Sequence, residues 1–339
     1  MPVVKAYFDE TQNLHHPQSY LTRGAMRAPQ EVPARIPPLL AALKDMGVEI
    51  DTPTDHGMRP ISAVHDMGYL RYLESAHRRW PEDWGAEVMS NIYVRKNNPM
   101  KGILAETAYY IADGSSPIGP DTWKAAYASA QCALSAADDI AAGQKSSYAI
   151  CRPPGHHARP DAAGGFCFLN NAAIAADYLR QTYDKVAVLD PDMHHGQGIQ
   201  EIFGERDDVL YVSIHGDPTN FYPVVTGYED ERGDGKGFGY NLNLPMPHGS
   251  SEEFFFEKFE EALTAIRLFE ADVIVVALGF DTYYEDPQAK VSVTSEGFGQ
   301  MGRLLAATDK PICVIQEGGY DVDHLGVNAT HFFGGLNGV

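Results

Sequence analysis

Basic residues are scarce in this 339-residue chain: 26 Lys and Arg stand against 46 Asp and Glu, for a net charge of −20. No basic stripe offsets the deficit, which excludes nucleic-acid binding as a function class. An acidic field draws in cationic ligands, and it equally keeps a protein soluble in salt. Cysteine is scarce too. Cys132, Cys151, Cys167 and Cys313 form no C-x-x-C pair, which fits buried, reduced thiols of a cytoplasmic protein rather than a disulfide framework. Long apolar runs are missing. The most apolar stretch, Val273 to Phe280, is far too short to span a bilayer, so no membrane partner is expected. The opening "MPVVKAYFDE" reaches an acidic residue by position 9, unlike a signal peptide. There is no internal repeat and no low-complexity tract.

What remains is an ordinary globular composition, 44% hydrophobic and 21% charged, sufficient for a sizeable core. At roughly 150 residues per domain the length suits two domains, but large α/β enzymes of this size often fold as one. Helix-like stretches alternate with short β-branched runs. "TWKAAYASAQCALSAADDIAAG" opens on a candidate N-cap, Thr122, and ends on Gly143. "SSYAICRP", "KVAVLD", "VLYVSIHG", "DVIVVALGFD" and "PICVIQEGGY" read as strands. Between them, "NNAAIAADYLRQTY", "GIQEIFG", "SSEEFFFEKFEEALTAIRLFE" and "SEGFGQMGRLLAAT" read as helices. The strands are continuously apolar rather than alternating, as parallel strands buried on both faces require. The fold class is therefore α/β, with helices on both sides of one mostly parallel sheet. The N-terminal third offers a strand at Val4–Phe8 and helices near Ala34–Met46 and Asp66–Arg78. Two segments, Asp9–Pro33 and Trp80–Pro120, read as irregular. Long loops of this kind serve as lids, binding loops or interfaces.

Ligands of open α/β sheets bind beyond the carboxyl ends of the strands. Those ends are chemically loaded here. "SYAIC" runs into Arg152 and "PPGHH", "VAVL" into "DPDMHH", "LYVSI" into His215, "VIVVALGF" into Asp281, and "PICVIQ" into "EGGY". Five polar strand ends on one sheet edge point to an active site. Asp190, Asp192 and His194 follow an i, i+2, i+4 pattern, so in extended chain all three can aim at one point. Carboxylate and imidazole together suit zinc, and Fe(II) or Mn(II) less well. Asp281 is the natural further ligand because it ends the most apolar strand, although an Asp there also caps helices. His156 and His157 follow a Pro-Pro-Gly bend, which lets both reach a pocket. A general base beside a metal is what hydrolysis requires. Tyr320, after Gly318 and Gly319, carries a phenol suited to donate to an oxyanion.

Taken together, "RPPGHHA", "GGFCFLNNAAIAA", "LDPDMHHGQGIQEIF", "VSIHGDP", "LGFDTYYEDP" and "EGGY" resemble the zinc-dependent histone deacetylase superfamily, most closely its bacterial acetylpolyamine amidohydrolase branch. The likeness is specific from Thr122 onward and weaker over residues 1 to 80. It implies the arginase–deacetylase fold, a single catalytic domain over 1–339 with about eight central strands. It implies one zinc held by Asp192, His194 and Asp281, with Fe2+ as the substitute. It moves Asp190 behind the ligands, bonded to His156 and lining a structural potassium site with Ser213. It makes His157 the general base, His156 its electrostatic partner, and Tyr320 the oxyanion donor. Phe166 and Tyr222 would wall a narrow tunnel, the Gly165 carbonyl would receive the amide N–H, and Gln288 would stand at the rim. An arginase-like second metal is not expected, because the D-x-H-x-D and D-x-D-x-x-D patterns are absent.

The chain departs from the family in two places. Gln197 stands where many members carry the Asp that partners the second catalytic His. Ser115 stands where some polyamine-specific relatives carry an acid before "TW", with Asp113 and Glu106 nearby. The expected reaction is removal of acetyl groups from small cationic amines such as acetylputrescine and acetylcadaverine. Deacetylation of lysine in proteins is the alternative, and a metal-binding protein without turnover the remote one. In polyamine-acting relatives, insertions like the one near 80–120 build a homodimer that constricts the site, so the segment is expected to act as lid or dimer contact.

Overall fold

Eight parallel strands form the centre of the computed structural model, which describes residues 5–94 and 100–338. Across the sheet they run Glu49–Asp51, Lys5–Tyr7, Ser146–Ala149, Ile312–Gln316, Val273–Leu278, Val186–Asp190, Val209–Gly216 and Asn241–Met246. Every pairing is parallel, including those at both edges. The expected strand at Val4–Phe8 is present as Lys5–Tyr7, and Val4 lies outside the described residues.

The continuous apolar runs have the cause expected of them. Successive strand residues point to opposite faces. Ile274, Val276 and Leu278 enter one core, with the helices Ile36–Asp45, Glu252–Phe269, Ser295–Ala306 and Val322–Asn337. Val273, Val275 and Ala277 enter the other, with Thr122–Ala141, Asn171–Leu179 and Gln197–Phe203. All six are fully buried, and each large aliphatic side chain so removed from water stabilises by about 1.5–3 kcal/mol. A third cluster packs on the outer face of Thr122–Ala141 through Ala126, Ala130 and Leu134, and receives Tyr69, Leu70 and Leu73 of the helix Met67–Arg79. Asn170, Ser251 and Thr294 cap their helices by accepting backbone N–H groups. Thr122 is not a cap: it is the first helical residue, after Asp121.

Several elements differ from the sequence reading. Asn241–Met246 carries Pro245 and two Asn, which hides it; an edge strand tolerates proline because it pairs on one side only. Val322–Asn337 is a helix despite Gly326, Gly334 and Gly335, because Leu325, Ala329, Phe332 and Phe333 pack into the core. Within Trp80–Pro120 lies a helix, Ile103–Tyr110, and residues 95–99 of that segment are outside the described residues. The Asp9–Pro33 segment holds a hairpin pairing Tyr20–Thr22 with Ala25–Arg27. Among the described residues, no helix is long and apolar enough to cross a membrane. All four cysteines are free and buried, as expected.

Buried histidines make the fold acid-sensitive. His65 lies between Arg159 O (3.0 Å from Nδ1) and the Asn170 N–H (2.9 Å from Nε2), and burial lowers its pKa from 6.5 to about 4. His15 is lowered to about 4 as well, by burial that Glu31 offsets only in part. Both are neutral in the native protein and would be protonated on unfolding below pH 6.5. Their contribution is therefore intact above 6.5 and is lost as pH falls toward 4. The loss is on the order of 3 kcal/mol per site at most. Urea midpoints should drop steeply between pH 6.5 and 4.5, and less so in His65→Gln. A flat profile over that range would contradict this account.

Candidate active site

The strand Val186–Asp190 ends at the loop that carries Asp192 and His194, and Val273–Leu278 ends three residues before Asp281. These strands are neighbours in the sheet, so the two loops meet. Ligand atoms of Asp192, His194 and Asp281 all lie within 4.8 Å of one another, and all three residues are buried. His194 Nδ1 is 3.1 Å from Asp281 Oδ2 and 3.3 Å from Asp192 Oδ1. Backbone N–H groups aim the carboxylates: Met193 N–H donates to Asp281 Oδ1, and Gly318 N–H to Asp192 Oδ2. A Cβ on Gly318 would stand 2.5 Å from Asp281 Oδ2 and 2.6 Å from Asp192 Oδ2, so only glycine leaves this cradle open. The donor set of two carboxylates and one imidazole suits a borderline divalent ion, and with three protein ligands it leaves a coordination position free. These residues fit a metal ion. The other cluster of similar span among the described residues, Glu285, Asp321 and His324, lies partly open to solvent.

Asp190 does not join them. Its carboxylate accepts from Tyr211 O–H at 2.9 Å and faces His156 Nδ1 at 3.1 Å. Spacing alone allowed it into the ligand set; the bend after Asp190 turns it behind. Ser213 sits opposite Asp190 in the sheet register, with its hydroxyl 2.7 Å from His215 Nδ1.

The Pro-Pro-Gly bend brings His156 and His157 together, ring centroids 3.9 Å apart. Glu317 holds the bend, its Oε2 accepting the Gly155 and His156 N–H groups at 2.6 and 3.0 Å. The two imidazoles are tuned apart. Burial lowers both. For His156 the carboxylates of Asp192 and Asp190 outweigh it and raise the group to about 10. For His157, burial is reinforced by His156 and His194, and the neutral Gln197 compensates little, so it falls well below 6.5. Gln197 Oε1 lies 2.6 Å from His157 Nδ1. The geometry of that contact, unusual for its longer side chain, is thus a direct hydrogen bond.

A cavity of about 490 Å³ opens over these groups, lined by His157, His194, Gly165, Phe166, Phe221, Tyr222, Gln288 and Tyr320 among others. Phe166 meets Tyr320 edge-on at 5.8 Å, and Tyr222 meets His157 edge-on at 4.7 Å. Gly165 has φ +57°, and a Cβ there would lie 2.3 Å from His157 Cδ2. Tyr320 is half-buried; burial raises its phenol well above 10, so it stays protonated. The Arg35 guanidinium lies 5.1 Å from its ring centroid. Gln288 donates to Gln30 Oε1 at the rim.

Residues 29–336 match the histone deacetylase domain. The chain belongs to the histone deacetylase family. It is 59% identical to acetylpolyamine amidohydrolase of Burkholderia pseudomallei (strain 1710b), over 98% of each chain. It is 41% identical to acetylpolyamine amidohydrolase 1 of Pseudomonas aeruginosa, again over 98% of each. A crystal structure of acetylpolyamine aminohydrolase from Burkholderia pseudomallei, after an iodide soak, matches with TM-score 0.98 over 98% of both chains. The histone deacetylase family is metal-dependent, and Asp192, His194 and Asp281 are where this member could hold the ion.

Some of this family member's site was not read from its sequence. Among the described residues, the hairpin region also lines the cavity, through Tyr20, Thr22, Arg23, Arg27, Ala28 and Gln30. From the Trp80–Pro120 segment, Ser115 lines the cavity and Asp113 bonds to its wall. Glu106 is turned away into a two-pronged pair with Arg79. Glu317 had one sequence signal, an acid directly after an apolar strand.

Proposed function

We propose that this chain hydrolyses the acetyl amides of small cationic amines such as acetylputrescine and acetylcadaverine, giving acetate and the free amine. The observation that carries the reading is the buried Asp192–His194–Asp281 cluster under a cavity lined by His157 and Tyr320. Full-length identity to acetylpolyamine amidohydrolases supports the substrate class. Asp192, His194 and Asp281 would hold Zn2+, with Fe2+ as an acceptable substitute. When bound, the ion supplies Lewis-acid polarisation of the acetyl carbonyl and acidifies water.

The protein's own groups do the rest. His157 takes the proton of the attacking water as that oxygen bonds to the carbonyl carbon. His156, its Nδ1 facing the Asp190 carboxylate, stabilises the negative charge that develops and helps return a proton to the amine nitrogen as the C–N bond breaks. Tyr320 donates its O–H to the oxyanion; one such donor contributes about 2.7–4 kcal/mol. Phe166 and Tyr222 flank the aliphatic linker, the Gly165 carbonyl receives the amide N–H, and Gln288 meets the distal part of the substrate. Asp190 and Ser213 belong to a structural K+ site. The protein acts as a single-domain homodimer in the cytoplasm, with part of the 80–120 segment at the contact; its exposed Trp84, Ile92 and Tyr93 support that assignment.

Acetate release from acetylputrescine, acetylcadaverine and an acetyl-lysine peptide, measured side by side on zinc-loaded protein, tests the substrate. The small amines should be turned over strongly and the peptide poorly. The reverse ranking makes this a peptide deacetylase instead.

A further inference from the structure

Where many relatives place a carboxylate against the second histidine, this chain has the neutral Gln197, and an amide can face its partner either way round. Its orientation is decided elsewhere. Asp113 Oδ2 accepts from the Tyr222 O–H at 2.6 Å and from Gly165 N–H at 3.1 Å. Its Oδ1 accepts from Ser115 N–H at 2.8 Å and Ser115 O–H at 2.5 Å. A carboxylate only accepts. Tyr222 therefore commits its single proton to Asp113, and its oxygen is left to accept from Gln197 Nε2, 3.2 Å away. That turns Gln197 Oε1 toward His157 Nδ1, at 2.6 Å. Facing an oxygen, Nδ1 carries the ring proton, and Nε2 keeps its lone pair. With the amide reversed, an N–H would face Nδ1 and the proton would sit on Nε2, where a base cannot have it.

We infer that Asp113 is a positioning residue for the reaction: through Tyr222 and Gln197 it sets the direction of a hydrogen-bond run that ends at His157. This rests on His157 being the general base. The run replaces direct contact with a carboxylate by contact at a distance. It orients the imidazole while keeping formal negative charge away from it. The same carboxylate anchors Gly165, so the tunnel wall and the base are fixed by one side chain. Neither Asn orientation would serve at position 113, because one amide end would meet a backbone N–H from Gly165 or Ser115 donor to donor.

The test compares Asp113→Ala in two backgrounds, the native Gln197 and Gln197→Glu, all zinc-loaded. A glutamate at 197 accepts only, so it would fix the Nδ1 proton without help from Asp113. In the native background Asp113→Ala should lower kcat by roughly ten- to a hundred-fold, a part of what a general base contributes, with any rise in KM from the freed Gly165 common to both backgrounds. Tyr222→Phe should match it, and the double variant should be no worse than either. In the Gln197→Glu background the same Asp113→Ala change should lower kcat at least about threefold less than in the native one, the remaining loss being that of the Gly165 anchor. An equal loss in both backgrounds overturns the proposal and leaves Asp113 as a brace for the Gly165 loop. Side-chain 15N spectra of His157 give a second readout, which decides the matter if Gln197→Glu is itself inactive. The native protein should show only the Nδ1–H form and Asp113→Ala a mixture; a pure Nδ1–H form in the variant also overturns it. Failure of the underlying reading looks different: His157→Ala would then retain native turnover.

Discussion

Asp281→Asn should abolish turnover and reduce bound zinc to far below one ion per chain. Only Asp192 and His194 would remain as charged or basic ligands, and a two-ligand site does not hold zinc tightly. The change is nearly isosteric, so the fold should survive it. Burial and the neighbouring Asp192 raise the Asp281 carboxyl to about 7, which marks this pair of carboxylates as costly without a cation between them. Removing one charge should leave the metal-free protein as stable as before, or more so. The stability readout then separates the two proteins. A ligand at a hundred times its Kd stabilises by about 2.7 kcal/mol, so a chelator should lower the Tm of the native protein and leave that of Asp281→Asn unmoved. Full zinc occupancy in the variant would remove Asp281 from the ligand set.

His157→Ala should lower kcat by about 10²- to 10⁴-fold, the usual contribution of a positioned base. Zinc content should stay at one ion per chain, because His157 is outside the Asp192–His194–Asp281 cluster. KM should change little, since in the proposed reaction the imidazole acts on water rather than on the amine. The contrast with Asp281→Asn is the useful part: one variant loses metal and rate together, the other loses rate alone. His157 is buried between Tyr222, Gly165 and His156, so some stability will go with it. Circular dichroism and zinc analysis on the same sample distinguish lost chemistry from lost fold. Turnover within a few-fold of native in a zinc-replete variant would assign the base elsewhere.

Local pattern made much of this protein legible. A buried parallel strand must be apolar on both faces, so Val186–Asp190 and Val273–Leu278 announce themselves. Polar groups just beyond such strands must lie on one sheet edge, which put Asp192, His194, His156, His157, Asp281 and Tyr320 near one another before any coordinates. Elements whose stability comes from neighbours were harder to read. Glu49–Asp51 is three residues long and polar at both ends, yet it is a strand because Lys5–Tyr7 lies beside it. That the Tyr20–Arg27 hairpin lines the cavity was not read from the sequence, because loops carry no periodicity that says where they fold back.

By itself, the sequence determined the parallel sheet and the edge that gathers the candidate residues, because each follows from the pattern along short segments; the family resemblance, not spacing, set Asp190 apart from Asp192, His194 and Asp281. Tertiary structure alone decided that Glu317 holds the histidine bend, that Ser213 bonds to His215, that the Tyr20–Arg27 hairpin lines the cavity, and that Asp113 reaches Tyr222. The physical reason is common to all four. A buried polar atom must find a partner wherever packing brings one, and the chain separating the two leaves no mark on the order of residues.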